Sequence, residues 1–192
     1  MPIDDSTKTA LLDAAQDLAQ TRGYNAFSFG DLSNRIGIKT ASIHYHFPTK
    51  ADLGRALVMR YRATLEALSA EIESKTDDPV EQLRRYVAAL KGTLKKGTRM
   101  CLCGMFGAEF ATLPGPMQDE VRQLFVSCET WLGGVLARGK ASGKLVFEGD
   151  PRRVAGSVFS SLQGAMLAAC TFGDETRFTA AADFLILQMV KK

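Results

Sequence analysis

Apolar residues recur at spacings of three and four along most of the chain, which is the period of an α-helix. The first such stripe runs from Thr7 to Thr21 and ends at Gly23, and two shorter segments end at Ile36 and Phe47. No alternating apolar and polar run of strand length interrupts this pattern. The sequence therefore predicts an all-α protein that begins with a bundle of three short helices.

The stretch from Ser28 to Lys50 has the features of a helix-turn-helix. Ser28 is a good N-cap for a short first helix, and Gly37 can adopt the positive φ of a tight turn. A second helix begins near Lys39, and its exposed positions carry Thr40, Ala41, Ser42, His44 and Tyr45. The apolar underside consists of Leu32, Ile36, Ile38, Ile43 and Phe47. This arrangement is typical of a motif whose second helix enters a DNA major groove, and it predicts DNA binding.

One long helix is expected to follow this motif. Pro48 ends the preceding helix, Thr49 can cap the next, and the helical period then continues without a break from Leu53 to Ile72. Such a helix would be a rigid lever between the N-terminal bundle and the remainder of the chain. Five more helices are predicted, at about 80–96, 100–113, 117–141, 151–171 and 174–190. The total is about nine.

The last two predicted helices are apolar on more than one face. Asp150 and Pro151 are placed as the N-cap and first residue of the first of them. A helix that is apolar on two sides is usually buried by two neighbours, and Gly156 and Gly164 would allow a close approach. We therefore predict a homodimer in which these two helices of each subunit form a four-helix interface.

The composition of the chain indicates a sizeable hydrophobic core, and its charged residues are unevenly distributed. Apolar residues make up 46% of the chain and charged residues 23%, while the net charge is only +3. Between residues 35 and 62, however, six basic residues oppose one acidic residue; they are Arg35, Lys39, Lys50, Arg55, Arg60 and Arg62, against Asp52. A basic surface here would attract phosphates, although a charge run without the helix-turn-helix would indicate only a solvated face.

The ends and the apolar runs predict a soluble cytoplasmic protein. The first nine residues have neither a basic nor an apolar segment of a signal peptide, and the apolar run around 164–170 is far shorter than a membrane span. We expect no membrane association and no cofactor.

The string GIKTASIHYHFPTK at residues 37–50 resembles the turn, the recognition helix and the Tyr-x-Phe element of the TetR/AcrR family of transcriptional regulators. The similarity is concentrated between about Thr7 and Leu57, whereas the C-terminal half matches only in the order and length of its helices. The resemblance implies a DNA-binding domain at 1–50 and an effector-binding and dimerisation domain at 51–192. It also implies a repressor that a small molecule releases from double-stranded operator DNA.

The resemblance also assigns DNA-binding candidates by position. Base edges or the nearby backbone would be met by Lys39, Thr40, Ala41, Ser42 and His44. The Tyr45 side chain would contact a phosphate. At Lys50, either the side chain or the first amides of the helix that begins there would contact another, and His46 can touch the DNA backbone. Ser28 joins this set as the cap of the motif. Lys39 and His44 depart from the family, where a capping Ser or Thr and a Tyr are frequent.

An effector pocket is implied in the C-terminal half, where apolar side chains and a few polar groups could enclose a cavity. The candidate lining residues are Met59, Tyr86, Met105, Phe106, Phe110, Phe125, Trp131, Phe159, Gln163 and Met166.

Cysteines leave an alternative open, namely a redox- or electrophile-responsive repressor that uses Cys101 or Cys103. Such a thiol needs a lowered pKa and exposure, whereas a buried cysteine is a common small hydrophobe. The cysteine spacing is not that of a zinc site. His44 and His46 are two residues apart and share no helix face, so no metal site is predicted.

Two other classes of protein fit the sequence less well. An enzyme is not predicted, because the sequence contains no Ser-His-Asp set, no glycine-rich phosphate loop and no histidine outside the DNA-binding segment. A sequence-tolerant architectural DNA binder would need a broad basic surface, and the C-terminal half is close to neutral.

Overall fold

The computed structural model describes residues 5–94 and 98–190. Within these ranges the chain forms nine α-helices and one isolated antiparallel bridge, between Leu145 and Val190. The first five helices are α1 (Asp5–Arg22), α2 (Phe29–Ile36), α3 (Thr40–His46), α4 (Lys50–Lys75) and α5 (Pro79–Leu94). The other four are α6 (Leu102–Ala108), α7 (Gly115–Ala141), α8 (Pro151–Phe172) and α9 (Glu175–Met189). The predicted all-α fold class is confirmed.

Helices α1, α2 and α3 form the N-terminal bundle, and local capping explains the bounds of α2. The Ser28 hydroxyl accepts a hydrogen bond from the Asp31 amide at 3.2 Å, and the Asp31 carboxylate accepts one from the Ser28 amide at 2.7 Å. Gly37 ends α2 in the left-handed region, with φ 71°. Leu32 and Ile43 are fully buried beneath the turn. The predicted caps and apolar underside of the motif are confirmed.

Helix α4 joins this bundle to the C-terminal domain. It has 26 residues and is therefore about 39 Å long. Thr49 caps it with Asp52 in the same reciprocal manner as Ser28 and Asp31. Gly54 permits a close approach, since a Cβ there would lie 2.7 Å from both the Tyr24 ring and the Met117 sulfur. The long helix is thus packed against α1–α2 at its start and against α7 further along.

The C-terminal domain is built around α7, which packs on α4, α5 and α8, while α9 covers α8 and α5. Asp150 caps α8 and Pro151 opens it, as predicted. The expected segment 100–113 is divided into α6 and a 3-10 turn (Phe110–Thr112), and Leu113 is extended because it precedes a proline. The predicted end of the fifth helix at Lys96 and its break at Gly97 lie outside the described residues.

By length and composition, α8 is the one helix among the described residues that could cross a membrane. Its most apolar 18-residue window has a mean hydropathy of 1.3, and 44% of that window is buried inside the protein. Core helices of globular proteins have the same properties, so α8 is weak evidence for a membrane span.

Candidate DNA-binding and effector sites

Helix α3 presents one face to solvent and one to the core. Thr40, Ala41, Ser42 and His44 are exposed and Tyr45 is 64% exposed, while Ile43 between them is fully buried. Lys39 is the N-cap residue, is exposed and makes no side-chain cap bond, so its ammonium extends from the start of α3. The structure therefore brings the predicted base-reading residues together on one exposed helix face. Their contacts with DNA stay predictions.

The two histidines have defined surroundings at the end of α3. His44 Nδ1 lies 3.1 Å from the Pro48 carbonyl oxygen, and its ring meets the Phe29 ring edge to face at 5.0 Å. His46 is half-buried, and its ring packs edge to face on Tyr45 at 5.4 Å. These contacts hold the rings at the edge of the exposed face of α3.

Lys50 points into the bundle. Its Nζ donates to the Tyr24 carbonyl oxygen at 2.7 Å and lies 4.5 Å and 4.6 Å from the ring centres of Tyr24 and Phe27. Burial lowers the pKa of this ammonium. The Tyr24 hydroxyl in turn donates to the Lys50 carbonyl oxygen at 2.8 Å. The Lys50 side chain thus stabilises the start of α4. The phosphate contact predicted at this position therefore falls to the first backbone amides of α4, and it stays a prediction.

Most of the local positive charge is paired across elements. Arg35 forms an ion pair with Asp17 of α1. Arg60 forms one with Asp13, also of α1, with 2.7 Å between the guanidinium nitrogen and the carboxylate oxygen. On the other side of α4, two more arginines share the buried carboxylate of α7; they are Arg55 and Arg62, 3.3 Å and 3.5 Å from Glu120. The six basic residues do not form an open cationic surface, because acidic partners distant in sequence fold against four of them.

A cluster of polar contacts fastens the N-terminal bundle to the C-terminal domain at the end of α6. The Glu109 carboxylate accepts hydrogen bonds from the amides of Tyr24 and Asn25, at 2.6 Å and 2.9 Å. The carboxylate occupies the space beside Gly23, where a Cβ would lie 2.9 Å from Glu109 Oε1. Gln20 and Met100 exchange two further hydrogen bonds, at 3.1 Å and 3.2 Å. We call the contacts of Glu109 with residues 23–25 the α6 clamp; no pattern in the sequence indicates it, because Glu109 and the amides it binds are 84 and 85 residues apart.

The predicted effector residues fall into three groups. The largest group is buried in the core of the C-terminal domain; its members are Tyr86, Phe106, Phe159, Gln163 and Met166, with the half-buried Trp131 and Met105 packed beside them. Phe110 and Phe125 instead line an open apolar cleft of about 540 Å³, with Gly107, Val121, Arg122 and Val126. Met59 is 42% exposed and the structure does not bring it to either group.

The thiols lie at the centre of the buried group. The Tyr61 hydroxyl is 3.3 Å from Cys101 Sγ, and hydrogen bonding from Cys103 and Tyr61 lowers the pKa of Cys101 to about 7. Hydrogen bonds from Cys101 and Cys128, together with burial, raise the pKa of Cys103. Cys101 and Cys103 are both fully buried, so the exposure that a sensing thiol needs is missing and the thiol-based alternative is not supported.

Three side chains in this core present buried polar atoms without a hydrogen-bond partner among the described residues. They are the Tyr86 hydroxyl, the Trp131 indole nitrogen and both amide atoms of Gln163, although the Gln163 amide lies close enough to the Cys101 thiol to contribute to its lowered pKa. The rings of Tyr86 and Trp131 are 5.3 Å apart, which places two of these groups side by side. We call Tyr86, Trp131 and Gln163 the polar core set. The same described residues contain no cluster of three or more His, Cys, Asp or Glu side chains able to hold a metal ion.

An exposed recognition helix on a small bundle, joined by one long helix to a separate all-α domain, is the architecture of helix-turn-helix transcriptional regulators. Comparison of the sequence with models of known protein families supports this class of protein. The model of bacterial regulatory proteins of the tetR family matches residues 11–57, and that of the tetracyclin repressor-like C-terminal domain matches residues 79–185. The chain belongs to the TetR family and is a DNA-binding transcriptional regulator.

Solved structures and curated relatives support the same assignment. A TetR-family transcriptional regulator from Agrobacterium tumefaciens is 39% identical, with a TM-score of 0.93 over 97% of this chain and 98% of that one. A TetR regulator from Legionella pneumophila is 34% identical, with a TM-score of 0.86 over 98% and 100% of the two chains. The transcriptional regulator AcuR of Cereibacter sphaeroides is 26% identical over 83% of this chain and 74% of its own length.

Proposed function

We propose that this TetR-family regulator is a cytoplasmic, homodimeric repressor that leaves its operator when a small molecule binds in its C-terminal domain. The observation that carries the proposal is a pair of exposed surfaces on different helices of the fold. One is the polar face of α3, and the other is an apolar face on the last two helices. Sequence-specific DNA binding needs the polar face of α3, and a two-fold dimer needs the apolar face of the last two helices.

The apolar face supports the dimer. Four large apolar side chains on α8 and α9 are between 59% and 67% exposed; they are Leu167, Phe172, Phe184 and Leu187. An apolar patch of this kind on a soluble chain marks an association surface. Paired about a two-fold axis, these helices would form the four-helix interface and set two α3 helices to enter major grooves about 34–36 Å apart on a near-palindromic operator.

Two connections could carry a change in the C-terminal domain to the DNA-binding bundle. The first is α4, because Tyr61 contacts Cys101 in the buried core while Lys50 is fixed to Tyr24 in the bundle. The second is α6, which begins beside Cys101 and ends at Glu109 in the α6 clamp. Tilting α4 would change the separation of the two α3 helices. The coupling is reciprocal, so operator DNA must weaken effector binding by the same factor.

The dimer is tested by placing charge in the apolar face. We expect the double substitution Phe184→Asp and Leu187→Asp to produce monomers in analytical ultracentrifugation and to reduce operator affinity at least about tenfold, since each monomer offers only one α3. The control is Ala67→Asp, which adds a charge at an exposed position of α4. A double variant that remains dimeric and binds DNA as the control does would contradict the proposed interface.

Specific recognition is tested against the architectural alternative. In gel shifts of genomic fragments with excess competitor DNA, a sequence-specific repressor shifts only a few fragments. An architectural binder shifts all of them equally. Uniform binding would overturn the proposal of a sequence-specific repressor.

A further inference from the structure

We propose that the effector of this protein is an uncharged molecule with a flat apolar body and a polar end that both accepts and donates hydrogen bonds, and that the polar core set binds that end. The inference rests on the proposed effector-responsive function and deepens it. It starts from polar atoms that are buried and have no protein partner in the described part of the chain.

The chemistry of these atoms defines the polar end of the ligand. The Trp131 indole nitrogen can only donate, whereas the Tyr86 hydroxyl and the Gln163 amide can both donate and accept. Tyr86 is 3% exposed and Gln163 is 8% exposed, so bulk water does not reach them freely. Buried polar groups are normally satisfied, and a group without a partner costs free energy until one is supplied. An amide end meets this demand in full, since its oxygen accepts from Trp131 or Tyr86 and its nitrogen donates to Gln163, whereas a ketone supplies only the acceptor.

The surroundings argue against a charged ligand. The groups that act electrostatically on Tyr86 are the thiols of Cys101, Cys103 and Cys128, and no carboxylate, lysine or arginine is among them. Burial raises the pKa of Tyr86, which keeps its hydroxyl protonated. The buried carboxylate of α7, Glu120, is already held by two arginines of α4. An anion placed in this core would lose its hydration without gaining a counter-charge, and a cation would gain one only through ionisation of a buried thiol.

Aromatic rings argue for a flat apolar body. Tyr86 and Trp131 are stacked at a tilt of 44°, and Phe159 meets Phe125 edge to face at 5.2 Å. Phe125 also lines the open cleft of about 540 Å³, a volume in the range of small-molecule sites, so the cleft leads toward the buried core. The closed cavity beside Tyr86 has only about 10 Å³. A ligand that reaches the polar core set must therefore separate helices, which gives its binding a mechanical consequence.

The test uses five compounds that share a phenyl ring and differ in polar end, namely ethylbenzene, acetophenone, benzamide, benzoate and benzylamine, added to the full-length protein. Trp131 is the single tryptophan of the chain, so its fluorescence reports directly from the site. We expect benzamide and acetophenone to shift its emission and to bind at least about tenfold more tightly than ethylbenzene, since one hydrogen bond is worth about that factor. Benzoate and benzylammonium should produce no shift at the same concentration.

Variants separate the polar core set from its neighbours. Tyr86→Phe and Gln163→Met should each weaken benzamide binding about tenfold and reduce its preference over ethylbenzene. Tyr61→Phe is the matched control, because the Tyr61 hydroxyl already contacts Cys101; it should retain the preference for benzamide. Thermal unfolding of each variant verifies that it is folded.

Three results would overturn the inference: charged probes that bind as tightly as benzamide, ethylbenzene that binds as tightly as benzamide, or no binding by any of the five at millimolar concentration. The affinity for an operator fragment, measured with and without benzamide, tests the proposed function separately. Selective benzamide binding that leaves DNA affinity unchanged would contradict effector release while supporting the chemistry of the site.

Discussion

Removing the carboxylate of the α6 clamp should loosen the DNA-binding bundle from the C-terminal domain. In Glu109→Ala the amides of Tyr24 and Asn25 lose the acceptor that now lies 2.6 Å and 2.9 Å away. A hydrogen bond to a charged group contributes about 1.5–3 kcal/mol when buried, and less here because Glu109 is half-exposed. For the two bonds together we expect the free energy of unfolding to fall by about 2 kcal/mol, which lowers the melting temperature of a chain of this length by about 4–8 °C.

The same substitution should reduce operator affinity, because the turn before α2 is no longer held in place. Circular dichroism melts and fluorescence anisotropy with labelled operator DNA measure the two effects. Glu109→Gln keeps an acceptor oxygen without the charge and should lose about half as much stability. The control is Glu148→Ala, at an exposed loop position. If Glu109→Ala melts and binds DNA as the control does, the α6 clamp does not connect the two domains.

Four further predictions concern the recognition motif and the thiols. Ser28→Ala removes half of a capping box and should lower the free energy of unfolding by about 1 kcal/mol, with faster hydrogen exchange of the α2 amides. Lys39→Gln should weaken binding to every DNA sequence and flatten the slope of log affinity against log salt by about one, whereas Thr40→Ala should relax base choice, both measured by anisotropy. With Ellman's reagent, the half-buried Cys170 should react first and the three buried cysteines only slowly.

Each of these has a clear contrary result. Unchanged exchange in α2 would mean that the cap does not hold the motif, and an unchanged salt slope for Lys39→Gln would remove this lysine from the phosphate contacts. Fast reaction of three or more thiols in the native protein would mean that Cys101 or Cys103 is accessible, and it would reopen the thiol-based alternative.

Features that depend on neighbours in sequence were predictable. Ser28, Gly37, Thr49 and Asp150 begin or end helices through contacts within two to five residues, and each was assigned from its type and place. The exposed face of α3 was predictable for the same reason, since a helical period decides which side chains turn outward. Local chemistry therefore accounts for the helix order and for the candidate recognition surface.

Features that depend on partners far along the chain were not predictable from one sequence. The arginines of α4 look unpaired in sequence, yet Arg60 meets Asp13, 47 residues earlier, and Arg55 meets Glu120, 65 residues later. Glu109 binds amides 84 and 85 residues away. All members of the polar core set are among the ten predicted effector residues, but only the packed structure shows that their polar atoms are buried without a hydrogen bond to the described residues, while Met59 lies at the surface.

The measurement that most directly tests the account is selection of bound sequences from random double-stranded DNA with the full-length protein. A dimer that presents two α3 helices to successive major grooves should enrich an inverted repeat, with half-site centres about one helical turn, 34–36 Å, apart. The Thr40→Ala variant should enrich the same repeat with weaker base preference in each half-site. Recovery of unrelated sequences, or of single half-sites without fixed spacing, would contradict a dimeric, sequence-specific regulator.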